Sequence, residues 1–169
     1  MSEVAIREAV AADLPALVEI YNHYIRETAF TFDVEPYTLE TRRPWFAKFA
    51  TTGRYRLLVA VQGSLLQGYL CTGPFREKAA YETSVETSIY LRPDCTGRGI
   101  GRGLYAALFE ALRFEDVHRA YAGITQPNAA SVALHERMGF VRVAHFSQVG
   151  RKFERYHDVA WYERALGSE

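Results

Sequence analysis

The sequence predicts one mixed α/β domain over residues 1–169. Three observations predict it. Runs with a period of two alternate with runs of helical period along the chain. Residues 55–61 (YRLLVAV) and 65–71 (LLQGYLC) flank Gln62-Gly63-Ser64, a hairpin signature. No internal repeat, low-complexity tract or linker breaks the pattern, and 169 residues can bury a core without disulfide or metal staples.

Each element has its own signal. Residues 4–9 (VAIREA) alternate as a first strand. Asp13 is a candidate cap for a helix in which Leu14, Leu17, Val18, Tyr21 and Tyr24 recur at helical spacing. Residues 27–37 (ETAFTFDVEPY) lack that period and read as an ordered, aromatic-rich loop. A second helix is expected over 39–50, ended by Gly53. The hairpin follows, then a loop over 73–80 and a long strand over 81–91. A helix over 102–114 puts Leu104, Leu108 and Leu112 on one side, with Tyr105 and Phe109 beside them. Residues 119–125 form a strand, and Asn128 caps a short helix running to Met138 and stopped by Gly139. Residues 140–149 and 153–161 close the chain as an antiparallel pair turned near Gly150.

Composition narrows the function. Lys and Arg total 20, as do Asp and Glu, so zero net charge offers no electrostatic reason for a nucleic acid or an anionic membrane as partner. Cys71 and Cys95 form no CxxC pair and have no histidine at ligand spacing, which points away from a metal and suits a reducing cytosol. The start, MSEVAIREAV, carries charges where a signal peptide needs an apolar core. No run approaches the ~18 apolar residues of a membrane span. A cytoplasmic protein is expected.

Residues 93–105 (PDCTGRGIGRGLY) place four glycines at alternate positions between a strand and a helix start. Bare backbone there presents successive N–H groups, and the helix dipole adds partial positive charge, so the stretch suits a phosphate. Arg98 and Arg102 add charge at the rim. A Walker loop is excluded, because no Lys-Ser or Lys-Thr follows. Residues 101–106 fit GxGxxA, but the next strand ends in Thr125-Gln126-Pro127 without the acid a dinucleotide fold requires. Among phosphate ligands an acyl-CoA diphosphate remains, against the alternative of a glycine-rich turn that holds no ligand.

Beyond that loop, the chain carries IYNHY at 20–24, FDVEP at 32–36, GPFR at 73–76, VETSIY at 85–90, NAAS at 128–131, LHERMGF at 134–140 and VGRKF at 149–153. Together with RGIG at 98–101, these resemble the GNAT superfamily of N-acyltransferases, and within it the phosphinothricin and methionine sulfoximine/sulfone acetyltransferase group. The resemblance covers nearly the whole chain. It implies a mostly antiparallel central sheet flanked by about four helices, acetyl-CoA as co-substrate, no metal and a homodimer. Where the family usually has Gln or Arg ahead of the glycines, this chain has Thr96, which moves one phosphate contact to Arg98 or Arg102. The resemblance assigns Thr96, Gly97, Arg98, Gly99, Ile100, Gly101 and Arg102 to the diphosphate. It assigns the backbone of Ile89, Tyr90 and Leu91 to the pantetheine arm and thioester carbonyl, and Asn128 to CoA.

Acetylating an amine requires its neutral form, hence a base or a pocket that favours deprotonation. On the strand 81–91, parity puts Glu82, Ser84, Glu86, Ser88 and Tyr90 on one face, which by pattern alone reads as solvated. The resemblance makes Glu86 the expected base, acting through a water, with Glu82 the weaker candidate. Asn128, Ser131 and His135 share one helix face at i, i+3 and i+7. Ser131 is expected near the cofactor. His135 is expected either near the leaving sulfur as an acid or as a support of the cleft. Arg76 reads either as a bidentate partner for an acceptor carboxylate or as a surface arginine. Phe32, Phe75 and Tyr81 are expected to wall the acceptor pocket. The expected reaction is acetyl transfer from acetyl-CoA to the primary amine of a small amino-acid-like acceptor by direct attack. The alternative is a non-catalytic acyl-CoA sensor.

Overall fold

A seven-stranded sheet organises the chain. The computed structural model describes residues 3–167. Met1, Ser2, Ser168 and Glu169, the ends of the expected 1–169 domain, lie outside the described residues. The strands are β1 (Val4–Glu8), β2 (Leu57–Gln62), β3 (Leu65–Pro74), β4 (Ser84–Leu91), β5 (Arg119–Thr125), β6 (Val141–Lys152) and β7 (Arg155–Ala165). The helices are α1 (Leu14–Glu27), α2 (Leu39–Phe46), α3 (Ile100–Leu112) and α4 (Ala129–Arg137). Sheet order is β1-β2-β3-β4-β5-β7-β6, and every neighbouring pair is antiparallel except β4–β5. That pair is parallel because the chain between them crosses over through the glycine loop and α3.

Alternation along the strands supplies a core on each face. Val85, Ala120, Ala122, Ile124, Ala160 and Tyr162 meet the buried stripe Leu104, Tyr105, Leu108 and Leu112 of α3. Burying each leucine of that stripe contributes about 2 kcal/mol. Val132, Leu134 and Met138, along and just beyond α4, pack on the same core. On the opposite face, Leu17, Ile20, Tyr21 and Ile25 of α1 pack on Leu57, Val59, Tyr69 and Cys71, with Trp45 and Phe46 of α2 beside them.

The feature that positions the site is where β4 and β5 stop pairing. Their register covers Ser84–Arg119, Val85–Ala120 and Glu86–Tyr121. β4 then runs on to Leu91 and β5 to Thr125 without pairing each other, so a gap opens between them beyond Glu86.

Several expected boundaries move, each for a local reason. Asp13 does not cap α1; its carboxylate takes two bonds from Arg7 (2.7 and 2.9 Å) and one from the Val10 N–H (2.8 Å). α2 ends at Phe46, not residue 50, in a helix whose last turn contains Pro44, which has no N–H to donate. β4 starts at Ser84. The backbone coils before it, with Tyr81 N–H donating to the Lys78 carbonyl and Glu82 N–H to that of Ala79. Glu82 therefore leaves the strand and lies 3.5 Å from the Arg54 guanidinium. α3 starts two residues early, at Ile100, because Gly99 takes a left-handed N-cap conformation (φ 80°). The last hairpin turns at Phe153-Glu154 (φ 51° and 59°), a two-residue turn with both φ positive. Gly150 stays inside β6, opposite His157.

Candidate active site

The gap between β4 and β5 opens into a cavity of about 690 Å³. It is lined by Thr87 to Leu91 from β4, Ala122 to Thr125 from β5, the loop at Thr96, Gly97 and Gly99, the start of α3 at Ile100, Gly101 and Arg102, and one face of α4. Of the residues expected to hold the cofactor, all line it except Arg98, which is exposed and donates to Gln62 Oε1 at 3.3 Å.

The glycines divide their work. At Gly97 and Gly99 φ is 74° and 80°, and a Cβ there would meet nothing within 4 Å. These two shape the loop and leave open space beside its backbone. At Gly101 a Cβ would lie 2.8 Å from Leu134 Cδ2, and at Gly103 2.9 Å from Ile6 Cδ1. Those two let α3 approach α4 and β1. The cradle thus combines open backbone with the N-terminus of a 13-residue helix, which fits a diphosphate.

On α4, Asn128 accepts from the Ser131 N–H at 3.2 Å as the N-cap, and both residues face the cavity with His135. The one-faced arrangement expected from spacing is present. His135 is 2% exposed, and both ring nitrogens are engaged. Nδ1–H donates to the Ser131 carbonyl at 2.7 Å, so Nε2 is the acceptor for the Tyr105 hydroxyl, also at 2.7 Å. Burial pushes the His135 pKa down, which keeps the ring neutral. Tyr105 shares a 2.8 Å bond with Thr87, whose hydroxyl lies 3.2 Å from the Tyr121 carbonyl. This chain ties α4 through α3 to both strands at the point where their ladder ends.

Glu86 sits at that point on the other sheet face, opposite Gly73 of β3 and Tyr121 of β5. It is half-buried, so the polar face of β4 is not simply solvated. Burial raises the Glu86 pKa, and the Arg76 cation opposes the rise. Among the described residues no protein hydrogen bond occupies its carboxylate. Phe75 stacks on Tyr121 with centroids 4.2 Å apart and meets Trp161 edge-on at 5.9 Å. Tyr81 lies 6.0 Å from Phe75. The exposed Arg76 guanidinium lies 4.2 Å over Phe75 and 5.6 Å from Trp161. Phe75, Arg76 and Tyr81 therefore come together beside Glu86. Phe32 does not join their rings; it packs on the last hairpin, against Gly150 and His157.

Sequence reasoning missed Thr87, Tyr105, Tyr121, Trp161, Tyr24 and Phe30. Parity held a signal for two of them. Tyr121 and Trp161 interrupt the small and apolar residues that face α3, so both must point to the Glu86 side. Tyr24 reads as core by helical spacing, yet lines the cavity and donates to the Leu91 carbonyl at 2.6 Å.

Among the described residues, no group of three or more His, Cys, Asp or Glu is placed to hold a metal ion. Among the same residues no helix is long and apolar enough to cross a membrane. A family model described as an acetyltransferase (GNAT) domain matches residues 6–161. The chain is 55% identical over 167 residues to a phosphinothricin N-acetyltransferase of Streptomyces coelicolor, covering 98% of each. It is 38% identical to an L-methionine sulfoximine/L-methionine sulfone acetyltransferase of Pseudomonas paraeruginosa, covering 96% of this chain and 94% of that one. A solved GNAT superfamily phosphinothricin acetyltransferase from Sinorhizobium meliloti, in complex with acetyl-CoA, superposes with a TM-score of 0.91 at 32% identity, covering 99% of this chain and 90% of that one.

Proposed function

We propose, from the premise that this chain belongs to the GNAT acetyltransferase family and is an acetyl-CoA-dependent N-acetyltransferase, that its acceptor is a small α-amino acid of the phosphinothricin or methionine sulfoximine/sulfone type. The observation that carries the reading is the juxtaposition, at the end of the β4–β5 ladder, of an unoccupied half-buried carboxylate with an exposed arginine on an aromatic wall. Nothing in the fold or the relatives favours a non-catalytic sensor.

In this reading the N–H groups around Gly97 to Arg102 and the α3 N-terminus hold the diphosphate. Beyond the ladder end, β4 offers backbone groups of Ile89 to Leu91 to the pantetheine arm and thioester carbonyl. Acetyl-CoA supplies an acyl carbon already activated as a thioester. Arg76 takes the acceptor carboxylate, with Phe75, Tyr81, Tyr121 and Trp161 as walls and Phe32, held against the last hairpin, as a further wall. Glu86 takes the ammonium proton through a water, its raised pKa bringing it nearer to working pH as a base. The neutral amine then attacks the thioester carbon, the C–S bond breaks, and the second amine proton leaves with the CoA sulfur as thiol. The engaged nitrogens of His135 support the cleft-holding role over the acid role. Direct transfer is favoured over a cysteinyl intermediate: burial pushes the Cys71 thiol up to about 12, and Cys95 is raised as well.

We also assign the enzyme as one domain over 1–169, located in the cytoplasm and dimeric. Support for the dimer is the edge strand β6, which leaves Val141, Val143, Phe146 and Val149 exposed.

The test is release of free thiol from acetyl-CoA with a panel of amines. Phosphinothricin, methionine sulfoximine and methionine sulfone are expected to be turned over, and polyamines and decarboxylated analogues are not. Equal rates with decarboxylated analogues would remove the carboxylate from the account.

A further inference from the structure

The segment between α1 and α2 carries no regular structure, yet it is fastened from two sides. From α1, Tyr21 contacts Thr31 Oγ1 (2.8 Å) and donates to Asp33 (2.6 Å), and Asn22 exchanges two bonds with the Tyr37 backbone. From the β6–β7 hairpin, 121 residues away, the Lys152 ammonium donates to the Thr31 carbonyl at 2.8 Å. Lys152 is only 4% exposed, and burying an ammonium is costly unless it is hydrogen-bonded and paired with opposite charge. Asp33 is the charged group that offsets it, and the Phe153 ring lies 5.2 Å away. Two residues earlier, Gly150 lies against Phe32 so closely that a Cβ would fall 2.1 Å from the ring, and His157 meets the same ring at 6.3 Å. Both devices act on adjacent residues, Thr31 and Phe32. Thr31 is also linked through Tyr21 to Tyr90 on β4, whose ring lies 5.1 Å from that of Tyr21.

We propose that the β6–β7 hairpin is the rigid backing of the acceptor pocket, with Gly150 and Lys152 as positioning residues that set the place of Phe32 and hence the fit of the acceptor side chain. This rests on the reading that Phe32 walls the acceptor site. A glycine in the interior of a 12-residue strand weakens that strand; here the missing side chain makes room for the wall. Neither residue touches the reacting atoms. Their effect is therefore expected in acceptor binding and not in the chemical step.

The experiment compares Gly150→Ala, Lys152→Met, Lys152→Arg and Phe32→Ala in the full chain. Its readouts are acceptor KM, kcat, acetyl-CoA Kd by calorimetry, and amide hydrogen exchange. Gly150→Ala and Lys152→Met should each raise acceptor KM about tenfold while kcat and acetyl-CoA Kd stay within about twofold, because a wall displaced by about 1 Å loses fit without losing the base. Lys152→Arg should recover most of the loss. Gly150→Ala combined with Phe32→Ala should cost no more than Phe32→Ala alone. Exchange over residues 28–34 should quicken in Lys152→Met, a readout that needs no turnover. Unchanged exchange there, additive effects of Gly150→Ala and Phe32→Ala, or a uniform fall in every constant would overturn the proposal. If wild type turns over no amino acid while exchange responds as expected, the clasp stands and the acceptor assignment falls.

Discussion

At Glu86, burial and a neighbouring cation pull one carboxyl in opposite directions. Burial raises its pKa and Arg76 holds the rise in check. Arg76→Ala should therefore raise it further, moving the acid-side break in log(kcat/KM) to higher pH, while Arg76→Lys moves it less. The same substitution should raise acceptor KM by about 10- to 100-fold, since a charge-assisted bidentate contact contributes about 1.5–3 kcal/mol. A pH profile of both variants checks this, and an unmoved break would separate Arg76 from Glu86. At the same scale, sequence spacing placed Asn128, Ser131 and His135 on one face, and they are there. Spacing could not show that Tyr105 reaches His135 from another helix, because that bond joins residues 30 apart through tertiary packing.

At the scale of elements, legibility follows from how local the cause is. The β2–β3 hairpin, the capped α4 and the apolar stripe of α3 are written in short-range patterns and stand where expected. Boundaries that moved were set by backbone events that spacing does not carry: a left-handed Gly99, the coil at Ala79–Tyr81, and a turn built from Phe153 and Glu154 instead of the obvious Gly150. Gly150 misled because its cause is a ring 118 positions earlier in the chain. The alternating glycines were half legible. Phosphate-cradle logic explains Gly97 and Gly99, whereas Gly101 answers to Leu134 on a helix not yet formed in any local reading.

For the whole molecule, the sheet order determines both the site and the outer surface. Placing α3 between β4 and β5 makes that pair parallel, and their early parting creates the cavity that a continuous ladder would close. The opposite end of the sheet leaves β6 as a long edge with exposed apolar residues, the surface that the proposed dimer would cover. Sedimentation should find a dimer, and Val143→Glu with Phe146→Glu should yield monomers; monomeric wild type would contradict the assignment. The proposed role of Glu86 as base is tested by the pH dependence of kcat/KM for wild type and Glu86→Gln. The raised pKa means that charging Glu86 lowers stability as pH rises through it, so the Gln variant should be no less stable near neutrality, which a thermal melt of both proteins checks. Glu86→Gln should lose the acid-side break and about 10²–10⁴ in kcat with acetyl-CoA affinity nearly unchanged. An intact kcat, or a break that persists without the carboxylate, would contradict it.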